Sequence, residues 1–153
     1  MAITGIDLGN PPINVSEDNY KIFFNQQAKQ ETTKNRVVFK TDYQRFIWAF
    51  VLGIRNGERL PLVGKKASSF KWQVIPQDSR TMILGLTIQE LYKDNPTAIK
   101  EDIEKSEGNS FNDSIRHAIE EYANAGFVEI RKKQITNPAY IENFDDVIED
   151  ILN

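Results

Sequence analysis

Apolar residues recur at helical intervals along most of the chain, and the clearest run follows Thr41. Thr41 and Gln44 form a capping box, which satisfies free backbone N–H groups and fixes a helix start at Asp42. The apolar residues that follow cover more than one face, which is typical of a helix buried in a core. Gly57 can end the helix because glycine readily adopts the left-handed conformation. The pattern therefore predicts a buried helix between Asp42 and Gly57.

A second helix is expected from Arg80 to about Lys93, with Asp78 or Ser79 as its N-cap. Its apolar residues have the spacing of one helical face. Gly85 weakens such a helix by about 1 kcal/mol relative to alanine. A close crossing with another helix would explain why a glycine is tolerated there.

Further helices are expected on both sides of this pair. Ser16 can cap a short first helix that has acidic residues in its first turn. Pro96 suits the first position of another, because its missing N–H costs nothing there. A longer helix opens at Ser110, and Gly126 is expected to end or kink it. The last predicted helix, Asn143–Leu152, is acidic and amphipathic.

Strands are expected to be few and short. Arg36–Phe39 and Trp72–Ile75 are candidates because they are rich in β-branched and aromatic residues, and the second lies in a loop or irregular hairpin over Glu58–Gln77. The predicted fold is mainly α, a compact single-domain helical bundle of five to six helices with a minor short β-ribbon. Glycine and proline near the start predict an extended arm over residues 1–15, followed by one helical domain over residues 16–153.

The composition is that of an ordinary folded protein of 153 residues, 40% hydrophobic and 27% charged. The chain has no cysteine, which excludes a disulfide framework, a thiolate zinc site and a cysteine nucleophile. No apolar run approaches the roughly 20 residues that span a bilayer. The first residues also lack the basic cluster of a signal peptide. A cytoplasmic location is therefore expected.

The net charge of −3 conceals opposite charges in different parts of the chain. Lys21 to Arg80 contains 12 basic and 4 acidic residues, whereas Thr81 to Asn153 contains 7 basic and 15 acidic residues. Such an asymmetry can mark a basic surface for nucleic acid. It is also what two halves that attract each other within one fold would show.

The candidate nucleic-acid ligands lie in the basic part. Lys65 to Lys71 combines cations with aromatic residues, as in proteins that bind single-stranded DNA, although the same pattern fits a surface loop whose aromatics anchor to the core. Arg36–Ile54, a strand followed by a helix, is weakly similar to ribbon-helix-helix proteins, which place a strand in the major groove. The candidate residues are Arg36, Lys40, Arg45, Arg59, Lys65, Lys66, Lys71 and Trp72.

Catalytic chemistry is not expected. His117 is the only histidine, and Glu121 lies within reach of it on a helix, but no recognisable motif places a serine nucleophile beside them. Glu129 and Lys132 have the wrong spacing for a metal-dependent nuclease on a strand. The acidic clusters fit solvated helix faces, and no phosphate-binding loop is present. We therefore predict no catalytic residue, no metal site and no cofactor.

Two blocks of residues together resemble a known family. The first contains Phe39-Lys40-Thr41, Phe46, Ala49, Leu52-Gly53, Gly57, Arg59 and Pro61-Leu62, and the second contains Asp78 to Leu86, Glu121 to Gly126 and the acidic, apolar C-terminus. They resemble the Dnd system-associated protein 4 family, small proteins linked to bacterial DNA phosphorothioation. The resemblance covers roughly Val37 to Leu152, while Met1 to Asn35 looks like an addition and Asn95 to Asn109 fits poorly, as in a divergent member from another defence locus.

The resemblance implies a role beside machinery that replaces a backbone oxygen of DNA with sulfur, and it supplies no catalytic residues. The expected function is a non-catalytic accessory component of a DNA-modification or anti-phage defence system, acting through DNA contacts, protein contacts or both. The alternatives are a dimeric transcriptional regulator of such a locus, a pure protein-binding module and, least favoured, a nuclease or other enzyme. The expected partners are DNA and proteins encoded in the same locus, with a homodimer as a further possibility.

Overall fold

Helices and one short β-ribbon build the part of the protein that the structure describes. The structure is a computed structural model, and it describes residues 6–20 and 42–136. This architecture confirms the predicted class, mainly α with a minor β-ribbon. In chain order the elements are β1 (Pro12–Ser16), α1 (Glu17–Asn19), α2 (Asp42–Asn56), β2 (Lys66–Lys71), a 3₁₀ turn (Trp72–Val74), α3 (Gln77–Tyr92), α4 (Ala98–Lys105) and α5 (Ser110–Thr136).

The central feature of the fold is a close crossing of α2 and α5. A β-carbon at Gly53 would lie 1.9 Å from the Tyr122 carbonyl oxygen, and one at Gly126 would lie 1.7 Å from the Ala49 carbonyl oxygen. The two backbones therefore touch, and only glycine fits at these positions. Because Gly53 meets Tyr122 while the earlier Ala49 meets the later Gly126, the two helices run antiparallel.

Helix α2 confirms the predicted buried helix at both ends. It begins at Asp42, while the proposed cap residue Thr41 lies outside the described residues. It stops before Gly57, whose φ of 65° is left-handed. The Gly57 N–H donates to the Ile54 carbonyl at 3.1 Å, which satisfies one of the carbonyl groups left free at a helix end.

Helix α5 is longer than its sequence predicted. Gly126 was expected to end or kink it, but the helix continues through this residue to Thr136. The expected end is wrong because this glycine serves packing and not termination: its missing side chain admits the backbone of Ala49. Nearly every residue that α5 turns towards α2 and the ribbon is buried, including Ile119, Ala123 and Phe127.

Helix α3 begins three residues earlier than expected. It starts at Gln77, and its N-cap residue is Pro76, which makes no side-chain cap hydrogen bond. The predicted cap residues Asp78 and Ser79 therefore lie within the first turn. An acidic residue there still interacts favourably with the positive end of the helix dipole. Gly85 lines a groove on α3, whereas the close crossing involves the glycines of α2 and α5.

Helix α4 follows a turn that contains Pro96. Its first residue is Ala98, two positions after the predicted start, and Gly108 ends the following turn with a φ of 59°. The helix is anchored by Ile99, which is 6% exposed, while Ile103 is 43% exposed. Only one of the two isoleucines therefore packs into the core.

The strands differ from those predicted. The predicted strand Trp72–Ile75 is a 3₁₀ turn over Trp72–Val74, and strand β2 precedes it. Ser16 caps α1 as expected, because its side chain accepts a hydrogen bond from the Asn19 N–H at 3.2 Å. The predicted strand Arg36–Phe39 and the predicted helix Asn143–Leu152 lie outside the described residues.

Residues from every layer contribute to one core. The described part of the predicted arm, residues 6–15, contributes to it through Leu8, Ile13 and Val15, so this extended segment packs on the helices. The division of the chain into an arm and a domain stays a prediction. The largest fully buried side chains are Trp72, Phe46, Phe50, Phe127, Ile13, Ile75, Ile83, Ile115, Ile119 and Ile130.

Candidate nucleic-acid interface

A β-bulge determines which residues of β2 face outward. Strands β1 and β2 pair antiparallel, with Ile13 opposite Phe70 and Asn14 opposite Ser68, so that Ser69 is the extra residue. Residues directly opposite in such a pair lie on the same face. The buried Ile13 and Val15 therefore define an inner face that also carries Phe70 and Ala67.

The outer face of the ribbon carries the remaining positions of β2. Lys66 lies opposite Ser16, Ser68 opposite Asn14 and Lys71 opposite Pro12. In an uninterrupted strand, residues 66 and 71 would point to opposite faces, because side chains alternate. The extra residue restores both lysines to one face, and both are exposed.

We call Lys65, Lys66, Ser68 and Lys71 the ribbon strip. Its three lysines form no ion pair with any residue in the described ranges 6–20 and 42–136. The Ser68 hydroxyl donates to Asn14 Oδ1 at 3.2 Å, so the polar groups of the two strands are linked across this face. The strip therefore presents cations, the usual donors to DNA phosphates, beside a hydroxyl group that is already bonded to Asn14.

A buried carboxylate holds the ribbon against α5. Glu120 is only 3% exposed, and its Oε2 accepts a hydrogen bond of 2.7 Å from the Asn14 N–H. Burial raises the pKa of Glu120, while the Asn14 hydrogen bond, Arg116 and Lys66 oppose this rise. The nearest cation pair is loose, since Arg116 Nη1 lies 3.9 Å from Oε2. Glu120 thus fixes β1 in position at some electrostatic cost.

The loop over residues 57–65, the pinned loop, is anchored to α5 by polar contacts. The Leu60 N–H donates to the Glu121 carbonyl at 3.2 Å, and Asn124 Nδ2 donates to the carbonyls of Leu60 and Pro61 at 3.1 and 3.2 Å. Its far end is held by the Glu17 N–H, which donates to the Lys65 carbonyl at 2.9 Å. The loop is therefore ordered where it enters the ribbon strip.

Asn124 also reaches the start of the chain. Its Oδ1 accepts a hydrogen bond of 2.8 Å from Asn19 Nδ2, so one side chain joins α1, α5 and the pinned loop. Pro61-Leu62, from the first block of residues that carried the family resemblance, and Glu121–Gly126, from the second, thus meet in space. They were separate in the sequence, and neither block alone indicated this junction.

Arg59 is placed at this junction and not free on the surface. Its Nε and Nη2 both reach Glu121 Oε1, at 3.0 and 2.9 Å, and its guanidinium lies 5.8 Å from the centre of the Tyr122 ring. The ion pair is partly exposed, so it contributes little stability. Its charge is largely neutralised by Glu121, which makes Arg59 a weaker DNA ligand than the ribbon strip.

Two other predicted ligands are buried. Trp72 is 2% exposed, and its backbone N–H donates to the Pro11 carbonyl at 2.9 Å. Arg45 is also 2% exposed, and burial lowers the pKa of its guanidinium. Neither side chain can reach a nucleic acid without opening the core. The burial of Trp72 therefore fits the alternative interpretation, a surface loop whose aromatic residues anchor to the core. Arg36 and Lys40 lie outside the described residues.

His117 lies in a shallow cleft beside the ribbon strip. The cleft is lined by Arg59, Lys66, Ser114, His117 and Glu121, among others. The cleft also contains Asp113, and both carboxylates are engaged by arginines, Glu121 by Arg59 and Asp113 by Arg116. In residues 6–20 and 42–136 no group of three or more histidine, aspartate and glutamate side chains is placed to hold a metal ion.

Sequence reasoning missed the residues that position this surface. Glu120, Asn14 and Asn124 act across more than 60 positions of the chain, which no local pattern reveals. One local signal existed: Ile13 and Val15 alternate with polar residues, as on a half-buried strand. Among the described residues, no helix is long and apolar enough to cross a membrane.

Comparison with known proteins identifies a family but no individual curated protein or solved structure. A family model described as DNA sulphur modification system-associated protein 4 matches residues 13–150. No curated protein and no solved structure matches the chain significantly. The matched range includes the ribbon from Ile13 onward, the pinned loop and all of α2 to α5. It begins well before Val37, so the expectation that the chain up to Asn35 is an addition to the family is wrong from Ile13 onward.

Proposed function

The chain belongs to the DNA sulphur modification system-associated protein 4 family, and on this premise we propose that it is a non-catalytic accessory component that contacts DNA through the ribbon strip. The association with a DNA sulphur modification system follows from the family. The DNA contact, the absence of catalysis and a role in anti-phage defence or restriction in the cytoplasm are parts of the proposal.

The observation that carries the proposal is the shared face of Lys66, Ser68 and Lys71. The bulge at Ser69 brings two lysines to one side of a ribbon whose other side is bound to the core. Two-stranded β-ribbons fit a groove of duplex DNA, and lysine donates to phosphates. A ribbon held by the buried Glu120 would meet DNA without first having to be ordered.

The non-catalytic part rests on the neighbourhood of His117. An acid–base pair needs a carboxylate to orient the imidazole. Of the two carboxylates that line the cleft, Glu121 is instead bonded to Arg59 at 2.9 Å and Asp113 is paired with Arg116 at 3.5 Å. We expect no cleavage of DNA when the protein is incubated with plasmid and Mg²⁺. Cleavage that disappears in the His117→Ala variant would refute this part of the proposal.

The DNA contact is tested by the salt dependence of binding to a labelled duplex. Each phosphate contact contributes about 0.9 to the slope of log K against log salt concentration. The double variant Lys66→Gln/Lys71→Gln should therefore lower the slope by about 1.8 and weaken binding at every salt concentration. The matched control is Lys100→Gln/Lys132→Gln, which changes two exposed lysines on α4 and α5. Equal losses in both variants, or no binding by the unchanged protein, would contradict the proposal.

A further inference from the structure

A largely apolar groove lies between α3 and α4, on elements that do not carry the ribbon strip. It has a volume of about 560 Å³. Its sides include Met82, which is 39% exposed, and Ile103 on α4 is 43% exposed. Its lining residues are Met82, Gly85, Leu86, Ile88, Gln89, Tyr92, Lys93, Pro96 and Ile99.

The groove is formed before any partner arrives. The Tyr92 hydroxyl donates to Asp102 Oδ2 at 2.7 Å, which ties the end of α3 to α4. Burial, together with this bond, raises the pKa of Tyr92 to about 12. Buried Ile99 holds the first turn of α4 in place. A preformed apolar surface binds without a large ordering cost.

Gly85 lies in the middle of the groove-facing side of α3. Met82, Gln89 and Tyr92 are three, four and seven residues away, so they share one face with it. A glycine inside a helix costs about 1 kcal/mol relative to alanine. Since a side chain at this position would project into the groove, the glycine keeps the groove open.

The charge around the groove distinguishes between possible occupants. Lys93 lines the groove but is paired with Glu90 at 2.8 Å. The adjoining segment Asp94 to Glu107 contains five acidic and two basic residues, and one of the basic residues, Lys105, is paired with Glu101. Like charges would repel a second copy placed symmetrically on the same groove, and they would also repel DNA. A positively charged partner with an apolar side would be attracted.

We infer that this groove docks an amphipathic helix with basic flanking residues, supplied by another protein of the modification system. Helix-in-groove recognition places apolar residues at intervals of three and four in such a groove. The 16 residues of α3 span about 24 Å, so a helix of four to five turns would match its length. This inference does not depend on DNA binding by the ribbon strip.

The test uses a synthetic amphipathic peptide of about 18 residues, five helical turns, with leucines on one side and lysines on the other. The control peptide has glutamates in place of the lysines. The readout is the NMR methyl signals of Met82, Ile99 and Ile103 together with peptide affinity. We expect only the lysine peptide to bind, with shifts confined to α3 and α4. Binding of both peptides equally, of neither, or at other residues would overturn the inference.

Gly85→Ala is the decisive variant. Helix propensity should raise its thermal stability, so weaker binding would not reflect misfolding. Its affinity for the lysine peptide should fall about tenfold, as expected when one methyl group obstructs an apolar pocket. Unchanged affinity would overturn the inference. So would NMR contacts from the protein's own residues outside 6–20 and 42–136 to Met82, or a concentration-dependent dimer that Gly85→Ala abolishes.

The failures of the two proposals are distinguishable. Gly85→Ala should leave the affinity for duplex DNA and its salt slope unchanged. Lys66→Gln/Lys71→Gln should leave peptide binding unchanged. If both variants altered both activities together, the groove would not be a separate docking site.

Discussion

Helix α5 is joined to its neighbours in two different ways. Towards α2 it packs backbone against backbone, because Gly53 and Gly126 have no side chains to hold the two helices apart. Towards the ribbon and the pinned loop it makes polar contacts through Glu120 and Asn124. Two closely packed helices can take up only one separation, so their contact forms as a whole. Hydrogen bonds to the ribbon and the loop can instead be lost one at a time. The first contact therefore determines whether the protein folds, and the second determines where the candidate DNA-binding surface lies.

The largest expected effect comes from filling the helix crossing. In Gly126→Ala the new methyl group would lie 1.7 Å from the Ala49 carbonyl oxygen, so the helices must separate. We expect a loss of about 3 kcal/mol or more in the free energy of unfolding, measured by urea denaturation. Gly85→Ala is the matched control, since it adds the same group to a helix at the groove and should stabilise by up to about 1 kcal/mol. Similar changes in the free energy of unfolding for both variants would refute the close backbone contact at Gly126.

A smaller loss is expected when the polar junction is cut. Asn124→Ala removes the donors to Leu60 and Pro61 and the acceptor for Asn19. We expect a loss of about 1–2 kcal/mol, because part of the junction can turn to water. Hydrogen exchange at the Leu60 amide should accelerate, while the α2–α5 crossing stays protected. Gln89→Ala, an exposed amide on α3, is the control. Equal exchange at Leu60 in the two variants would show that Asn124 does not hold the pinned loop.

The buried Glu120 predicts a pH dependence of a definite sign. Burial raises its pKa in the folded state above the ordinary value of 4.5. Its contribution to stability is therefore fully present below pH 4.5 and is lost as the pH rises through the folded-state pKa. Glu120→Gln keeps an acceptor for the Asn14 N–H but does not titrate. In urea denaturation, the free energy of unfolding of the variant should increase relative to that of the unchanged protein as the pH rises above 4.5. If the free energy of unfolding depended on pH in the same way in both proteins, burial would not raise the pKa of Glu120.

The smallest effect on stability is expected on the outer face of the ribbon. Lys66→Gln and Lys71→Gln remove exposed charges with no ion-pair partner in the described part of the chain. The free energy of unfolding, measured by thermal denaturation, should change by less than about 0.5 kcal/mol. The affinity for DNA and the salt slope of binding should nevertheless fall. A substantial loss of stability would mean that these lysines hold the fold, which would remove the ribbon strip as a free surface.

The sequence predicted the helices better than the surface. Apolar periodicity located α2 and α5, because a helix repeats its buried face over short distances along the chain. A short ribbon was predicted, but its strands were misplaced, since β1 and β2 pair across about fifty residues and neither shows a complete local pattern. Trp72 illustrates the same limit: beside Lys71 it fitted a stacking surface, and only the packed structure shows that the two neighbours face opposite environments. Of the candidate ligands, Lys65, Lys66 and Lys71 are placed where they could act.

The bulge at Ser69 also limits how the ribbon can vary over evolution. One extra residue decides that the apolar side chains of β2 turn inward while its lysines turn outward. Losing the extra residue would leave five residues of β2 opposite the five of β1, and plain alternation would then keep both sets where they are. Gaining one further residue without a second bulge would exchange the two sets beyond the insertion, exposing Phe70 or burying a charge. Relatives that keep this surface should therefore have either this bulge or a regular strand that is one residue shorter.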